Sequence, residues 1–269
     1  MFGTNPLRKP ENDPALGFDG SKLRVQSIFK TIQGEGPYAG TPAIFLRLSA
    51  CNLKCYRCDT QFETGYENLL PTMKISQRIF ELAGKVVTLV VITGGEPLLQ
   101  NITTLCKSLT HLGRLRIQIE TAGTVWVKGL EYWIEEGYVS IVCSPKTGKV
   151  HPKILQYCQD WKYLICEGEV SSLDGLPNSS TQVPGLHVRL ARPPRTTDTV
   201  WLQPCEVYDV EKATAPPALD KGQEVADQTI TSSVRNESAS KQNIDLSVQL
   251  AMKYGYRLSL QLHKILGLP

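Results

Sequence analysis

Short apolar runs recur along the chain, and nearly every one ends in glycine, proline or a polar residue. Strands are predicted at Leu23–Phe29, Ala43–Leu48, Thr88–Ile92, Arg116–Glu120, Ser140–Cys143, Lys162–Cys166, His187–Leu190 and Val200–Leu202. Several are rich in Val and Ile, as buried parallel strands are. Between them, Thr72–Ala83 and Asn101–His111 carry apolar residues at helical spacing. This alternation implies an α/β fold with a mainly parallel sheet and right-handed crossovers. In such folds functional residues gather at the carboxyl ends of strands. The endings here are Ser49-Ala50-Cys51, Thr93-Gly94-Gly95-Glu96, Glu120-Thr121, Ser144-Pro145-Lys146 and Gln203-Pro204. They are expected to converge on one mouth.

Residues 1–21 are rich in Pro, Gly, Asn and Asp and are expected to form a loose arm before a domain spanning 22–269. Residues 211–242 hold no aromatic and few large aliphatic side chains, so they are expected to be a disordered insertion. Ile244–Tyr254 follows as an amphipathic helix ended near Gly255, then Tyr256–Gln261 as a short strand. The tail Ile265-Leu266-Gly267-Leu268 is apolar enough to pack. A 41% hydrophobic, 20% charged composition is that of a folded globular chain. The longest apolar stretches, such as Val86–Ile92, are too short for a membrane span. The N-terminus lacks the apolar core of a signal peptide, so a cytoplasmic protein is expected. A net charge of +3, with no basic run longer than two residues, argues against nucleic acid as a partner.

Three of the eight cysteines fall within eight residues, Cys51-x3-Cys55-x2-Cys58. Three thiolates on a tight loop suit a soft metal or an iron–sulfur cluster. A structural zinc site needs four ligands, and His111, His151, His187 and His263 are dispersed with no second cysteine pair. A thioredoxin-like reading uses Cys55 and Cys58 and leaves Cys51 without a role. Three ligands on a four-iron cluster leave one iron open, which favours chemistry over structure. Cys106, Cys143, Cys158 and Cys166 read as core filler, whereas Cys205 closes a strand after Gln203-Pro204.

Cys51-x3-Cys55-x2-Cys58 after a first βα unit resembles the signature of radical S-adenosylmethionine (SAM) enzymes. Thr93-Gly94-Gly95-Glu96-Pro97 resembles the segment by which they bind the amino group of SAM. The narrower set is Phe29–Gly36, Phe45–Leu48, Cys58-Asp59-Thr60, Glu120–Gly123, Ser144–Lys146, Leu202–Pro204, Arg257–Gln261 and the ending Lys264–Pro269. Over about residues 22–208 and 243–269 it resembles the 7-carboxy-7-deazaguanine synthase family of deazapurine and queuosine biosynthesis.

That resemblance implies an incomplete or modified (β/α) barrel holding a 4Fe-4S cluster on Cys51, Cys55 and Cys58. It implies that 6-carboxy-5,6,7,8-tetrahydropterin is converted to 7-carboxy-7-deazaguanine with loss of ammonia. SAM is expected against Gly94, Gly95 and Glu96, with the Glu96 carboxylate near its ammonium, and against Ser144, Pro145, Lys146, Gln203, Pro204, Cys205 and Glu206. Substrate is expected against Ile32, Gln33, Gly34, Glu35, Arg47, Thr93, Glu120 and the α-carboxylate of Pro269. Thr60 matches the position of a magnesium ligand, a hard oxygen. An external electron donor such as a flavodoxin and a homodimer are implied as well. Each role competes with a plainer one: Arg47 in a structural ion pair (although charges inside apolar strands are rare, which favours the site), Thr60 capping its loop, Glu35 bracing the glycines, Lys146 as a solvated charge. The family often has Asp where Glu206 stands, and the 211–242 insertion has no counterpart in it. Two other functions share the cysteine loop, an activase acting on a partner protein and a non-catalytic redox module.

Replacing Cys51, Cys55 or Cys58 by Ala should abolish iron binding on anaerobic reconstitution, because the cluster draws on all three thiolates. Cys106→Ala or Cys158→Ala should keep full iron. Native iron content in Cys55→Ala would sink the cluster assignment.

Overall fold

The computed structural model describes residues 19–58, 68–110, 115–210 and 233–268. Thr60, Pro269, the arm up to residue 18 and residues 211–232 of the expected insertion lie outside this range. Among the described residues, nine strands form one sheet in the order β11-β8-β7-β6-β5-β4-β2-β1-β3. They are β1 (Lys22–Ile32), β2 (Pro42–Leu48), β3 (Leu69–Pro71), β4 (Leu89–Gly94), β5 (Arg116–Thr121), β6 (Val139–Cys143), β7 (Asp160–Ile165), β8 (Thr199–Pro204) and β11 (Arg257–Leu258), while β9 (Tyr208–Val210) and β10 (Ser233–Arg235) pair with each other apart from it. Neighbours from β2 to β11 run parallel, whereas β1 is antiparallel to both β2 and β3. Helices α1 (Thr72–Ala83), α2 (Thr103–Thr110), α3 (Leu130–Glu135) and α4 (Pro152–Tyr157) lie between successive strands; α5 (Glu237–Tyr254) and the short α6 (Leu262–Ile265) flank β11. This is the expected α/β architecture, with the edge strands β3 and β11 unpaired to each other among the described residues.

The two faces of the sheet differ in chemistry. Ile44, Leu46 and Leu48 of β2, Val90 and Ile92 of β4, Ile117 and Ile119 of β5, and Trp161, Tyr163 and Ile165 of β7 enter the main core. There they meet Ile75, Ile79 and Ala83, one stripe of α1 at helical spacing, and Leu105 and Leu109 of α2. Each such aliphatic side chain contributes roughly 1.5–3 kcal/mol when taken out of water. The alternate residues face the other way. On that face Arg47 stands opposite Thr93, Gln118 opposite Ser140, Glu120 opposite Val142, and Lys162 opposite Trp201. A small apolar cluster of Ala43, Leu89 and Val91, with Tyr38 and Phe45, sits there too, so β4 is apolar on both faces. Toward their carboxyl ends β2 and β5 turn polar on this face, with Arg47, Gln118 and Glu120.

Three expectations need correction. His187–Leu190 is no strand; His187 makes a lone bridge with Ser179, since the proline- and glycine-rich chain around it offers no ladder to join. The last long helix begins at Glu237, so residues 233–242 belong to the described fold rather than to a disordered insertion. Its buried face is Ser240, Asn243, Ser247 and Leu250, at spacings of three and four. A search for aliphatic periodicity passes over such a face. Its polar groups are used: the Asn243 side chain donates to Cys205 O (2.8 Å) and accepts from Glu167 N (2.8 Å), and Ser240 Oγ accepts from Val207 N (3.1 Å). The tail is not packed by its apolar groups, because Ile265 is 71% and Leu266 59% exposed. Polar contacts hold it instead, Lys264 to Glu206 at 2.5 Å and Leu262 N to Gly34 O at 3.2 Å.

Helix α5 starts where the Asn236 side chain accepts from Ala239 N (2.9 Å) and stops at Gly255, which takes the left-handed conformation with φ 74°. Asn236→Ala should lower unfolding stability by about 0.5–2 kcal/mol, read by denaturant titration, with Asn236→Ser, which keeps a capping oxygen and sets no second charge beside Asp209, retaining most of it. Equal midpoints for the native chain and Asn236→Ala would show that this cap does not set the helix start.

Candidate active site

The cysteine loop leaves the sheet at the carboxyl end of β2. Ala50 turns the chain there with φ 75°, a left-handed conformation that costs a non-glycine residue about 1–2 kcal/mol. Cys51, Cys55 and Cys58 follow, all half-buried and none in a disulfide. The loop from β7 to β8 props them: Tyr56 N donates to Thr181 O (3.0 Å), Lys54 N to Gln182 Oε1 (2.7 Å) and the Gln182 amide to Cys55 Sγ (3.0 Å). Arg57 clamps the same loop with two bonds to Glu169 (2.7 and 2.8 Å) and a third to Cys166 Sγ (3.0 Å). Cys166 is therefore more than filler, while Cys106, Cys143 and Cys158 are fully buried in the core as expected.

Burial pushes the Cys51 thiol up to about 12; Glu96, Cys55 and Cys58 push the same way, and only Leu53 N–H opposes them. Three thiols this close cannot all ionise without positive charge among them, which an iron–sulfur core supplies. Among the described residues no three His, Cys, Asp or Glu side chains close on a single ion. A four-iron cluster bound by one thiolate per iron does not ask for that, so the donor set fits it.

The Gly94-Gly95-Glu96 turn is packed main chain on main chain against the root of this loop. Gly95 N donates to Leu48 O (3.0 Å) and Glu96 N to Ala50 O (2.9 Å). A Cβ on Gly94 would stand 2.1 Å from Leu48 O, and one on Gly95 1.9 Å from Ala50 O. The close approach of the neighbouring strand end by itself requires glycine at both positions. Glu96 likewise turns inward. It is 0% exposed and accepts from Leu98 N (3.1 Å), Thr121 Oγ1 (2.7 Å) and Ala122 N (2.8 Å). Burial pushes its carboxyl up and those three donors push it down. Its carboxylate ties the ends of β4 and β5 together instead of standing open to an ammonium.

The remaining strand ends close around the same mouth. Ser144 N donates to Thr121 O (2.8 Å), Lys146 Nζ to Ser144 Oγ (2.7 Å) and Thr181 Oγ1 to Lys146 O (3.1 Å). Pro145 is buried and Lys146 half-buried, so Lys146 is not a freely solvated charge. At the end of β8, Gln203 is buried with its Oε1 lacking a protein donor. Pro204 is half-exposed, and Cys205 is buried against α5 and Cys166. Glu206 is taken up by Lys264 (2.5 Å), Tyr208 (2.9 Å) and Arg235 (3.6 Å).

A second group assembles on the polar face of the sheet. Glu120 Oε1 accepts from the side-chain amides of Gln33 (3.1 Å) and Gln118 (3.0 Å), and Oε2 accepts from Thr93 Oγ1 (3.3 Å). Glu35 pairs with Lys162 and accepts from Gln261 (2.7 Å). Although burial opposes it, the Lys162 ammonium holds Glu35 well below the usual carboxylate range. Gln33 is spent on Glu120 and on Glu35 N (3.1 Å), and the carbonyl of Gly34 on Leu262 N. Gly34 is glycine because a Cβ would lie 2.2 Å from His263 Nδ1. Ile32 ends β1, half-exposed. Arg47 has no carboxylate partner among the described residues; its guanidinium lies over the Phe29 ring at 5.3 Å. Among the described residues no ion pair explains it. Lys162, Gln118, Gln261 and His263 escaped the sequence reading. Lys162 carried a usable signal, a charge inside the apolar run Asp160–Ile165, the same sign that marked Arg47.

Residues 47–163 match the radical SAM superfamily. A protein of Rhodospirillum rubrum named 7-carboxy-7-deazaguanine synthase is 39% identical over 267 residues, 99% of either chain. One of the same name from Rickettsia prowazekii is 35% identical, covering 100% of this chain and 96% of its own. The crystal structure of QueE from Escherichia coli shares the fold, with a TM-score of 0.59, 21% identity, and coverage of 93% of this chain and 99% of that one.

Gly95→Ala should cost most of the iron content after reconstitution while leaving far-UV circular dichroism near native, because the collision falls on the loop root and not on the core. Full iron in Gly95→Ala would mean that the joint yields without disturbing the cysteines.

Proposed function

The chain belongs to the 7-carboxy-7-deazaguanine synthase family of radical SAM enzymes, and on that premise we propose how its polar face carries out the reaction. The enzyme is a radical SAM lyase of deazapurine biosynthesis. Its substrate in this reading is 6-carboxy-5,6,7,8-tetrahydropterin and its products are 7-carboxy-7-deazaguanine and ammonia. The observation that carries the reading is the charge layout of the polar face. An arginine with no carboxylate partner among the described residues stands on β2, and two carboxylates stand beyond Thr93, Glu120 on β5 and Glu35, which shares Lys162 with it. Arg47 and Glu120 are two strand spacings apart, about 10 Å. A carboxypterin has the complementary ends, a carboxylate at one and an amino–amide edge rich in donors at the other.

Cys51, Cys55 and Cys58 would hold the cluster, which together with SAM would supply the radical chemistry that removes a hydrogen from the substrate. The protein's part is placement. Arg47 grips the substrate carboxylate with its planar fork and is held flat by Phe29. Glu120, oriented by Gln33, Gln118 and Thr93, accepts from the pterin's donors, with Glu35 beside it. Gly94, Gly95, Ser144, Lys146 and Gln203 would line the SAM side, Gln203 with its free oxygen. Glu96 supports that side from behind. Thr60 would offer magnesium a hydroxyl oxygen. A flavodoxin-like electron donor, a homodimer and a cytoplasmic location complete the proposal; among the described residues no helix is long and apolar enough to cross a membrane.

Anaerobic incubation with SAM, reductant, magnesium and the carboxytetrahydropterin should yield a product lighter than substrate by one ammonia. No such product from iron-replete protein would overturn the reading. Arg47→Met should raise KM for the pterin about ten- to a hundredfold, the weight of a charge-assisted bond, with substrate-free SAM cleavage unchanged. An unchanged KM would take Arg47 out of the site.

A further inference from the structure

Resting on the function proposed above, we propose that Lys162 is a positioning residue of the substrate site. Its ammonium, set between Glu35 and Glu120, keeps Glu35 ionised beside its neighbour, so that the two side chains accept from the donor-rich edge of the pterin. Lys162 lies on β7 between Trp161 and Tyr163, which are buried in the main core, and its own side chain points to the other face with 12% exposure. Its Nζ pairs with Glu35 Oε2 and lies 3.9 Å from Glu120 Oε2.

Two carboxylates that reach one ammonium are close enough to repel each other. Buried as they are, without that ammonium one of them would take up a proton. A protonated carboxyl turns an acceptor into an O–H donor, and a donor facing the pterin's N–H groups loses the contact and adds a repulsion. The amides of Gln33, Gln118 and Gln261 and the Thr93 hydroxyl bring hydrogen bonds to these carboxylates but no charge. Other charged or titratable groups face the same region: Arg47 on β2, Asp160 on β7, Arg257 over Trp201 on β11, and His263 on α6, whose charge also lowers Glu35. Lys162 alone among them is in ion-pair contact with both carboxylates.

The test compares Lys162→Met, Lys162→Arg and the double variant Lys162→Met with Glu35→Gln, using iron-replete enzyme and the carboxytetrahydropterin between about pH 6 and pH 9. In the native enzyme KM should stay flat across this range. In Lys162→Met it should rise at least about tenfold at neutral pH and recover as pH rises and the carboxyl ionises, with kcat and substrate-free SAM cleavage little changed. Lys162→Arg and the double variant should each restore a flat profile, one by returning the cation and the other by removing the surplus carboxylate. Infrared spectra without substrate give a second readout, which stands even if the substrate assignment fails. A protonated-carboxyl band that Glu35→Gln or Glu120→Gln removes should be absent from the native enzyme at neutral pH and present in Lys162→Met. A flat KM profile in Lys162→Met with no such band would overturn the proposal. So would a pH-dependent KM in the double variant. Should Lys162→Met lose its fold, a band of this origin in the native enzyme at neutral pH would overturn it alone.

Discussion

Two main-chain hydrogen bonds, Gly95 N to Leu48 O and Glu96 N to Ala50 O, join the exit of β2 to the exit of β4, and the site depends on that joint. It extends the register in which Arg47 stands opposite Thr93. It sets the root of the cysteine loop directly on the glycine turn. Backbone can approach backbone this closely only without side chains, so two glycines at one strand end determine where three cysteines after another strand can stand. Glu96 then carries the constraint one strand further by binding Thr121 and Ala122 at the end of β5.

The sheet below that joint is built on a contrast between its faces. One face is close-packed with aliphatic side chains and helices, and it supplies the hydrophobic stabilisation. The other holds amides, carboxylates, an arginine and a lysine in partial burial, an arrangement that costs stability unless the groups satisfy one another. Here most do so within the protein, through Gln33, Gln118, Gln261, Thr93 and Lys162. The exceptions are informative. Arg47 lacks a counter-charge among the described residues, and buried oxygens of Gln118 and Gln203 lack donors. Groups left over in an otherwise satisfied network are those a bound ligand would complete.

A motif can be right about location and wrong about the work each residue does. The glycine turn stands beside the cysteines as its resemblance implied, yet its glycines answer to Leu48 and Ala50 and its glutamate to Thr121 and Ala122. In the same way Gln33 and Gly34, read as acceptors for a substrate, spend their polar groups on Glu120, Glu35 and Leu262. Much of what a short signature preserves is the geometry that holds a site open, with fewer residues left to touch what binds there.

The α/β class, most of the central strands, the helix at Thr72–Ala83 and the three-cysteine loop were legible in the order of residues, because each is written in nearest neighbours: apolar period, glycine and proline stops, cysteine spacing. The sequence also marked Arg47, by a charge inside an apolar strand. Helix α5 was half hidden, since its buried face is serine and asparagine, whose fitness for burial depends on partners far along the chain such as Cys205 and Val207. The union of Glu35, Glu120, Lys162 and Gln261 was decided by the tertiary structure alone. Those residues come from four separate segments, and Glu35 and Gln261 are 226 positions apart. A carboxylate's role depends on which cation and which amides stand within about 3 Å of it, and only strand order, register and the fold-back of the final segment set those distances.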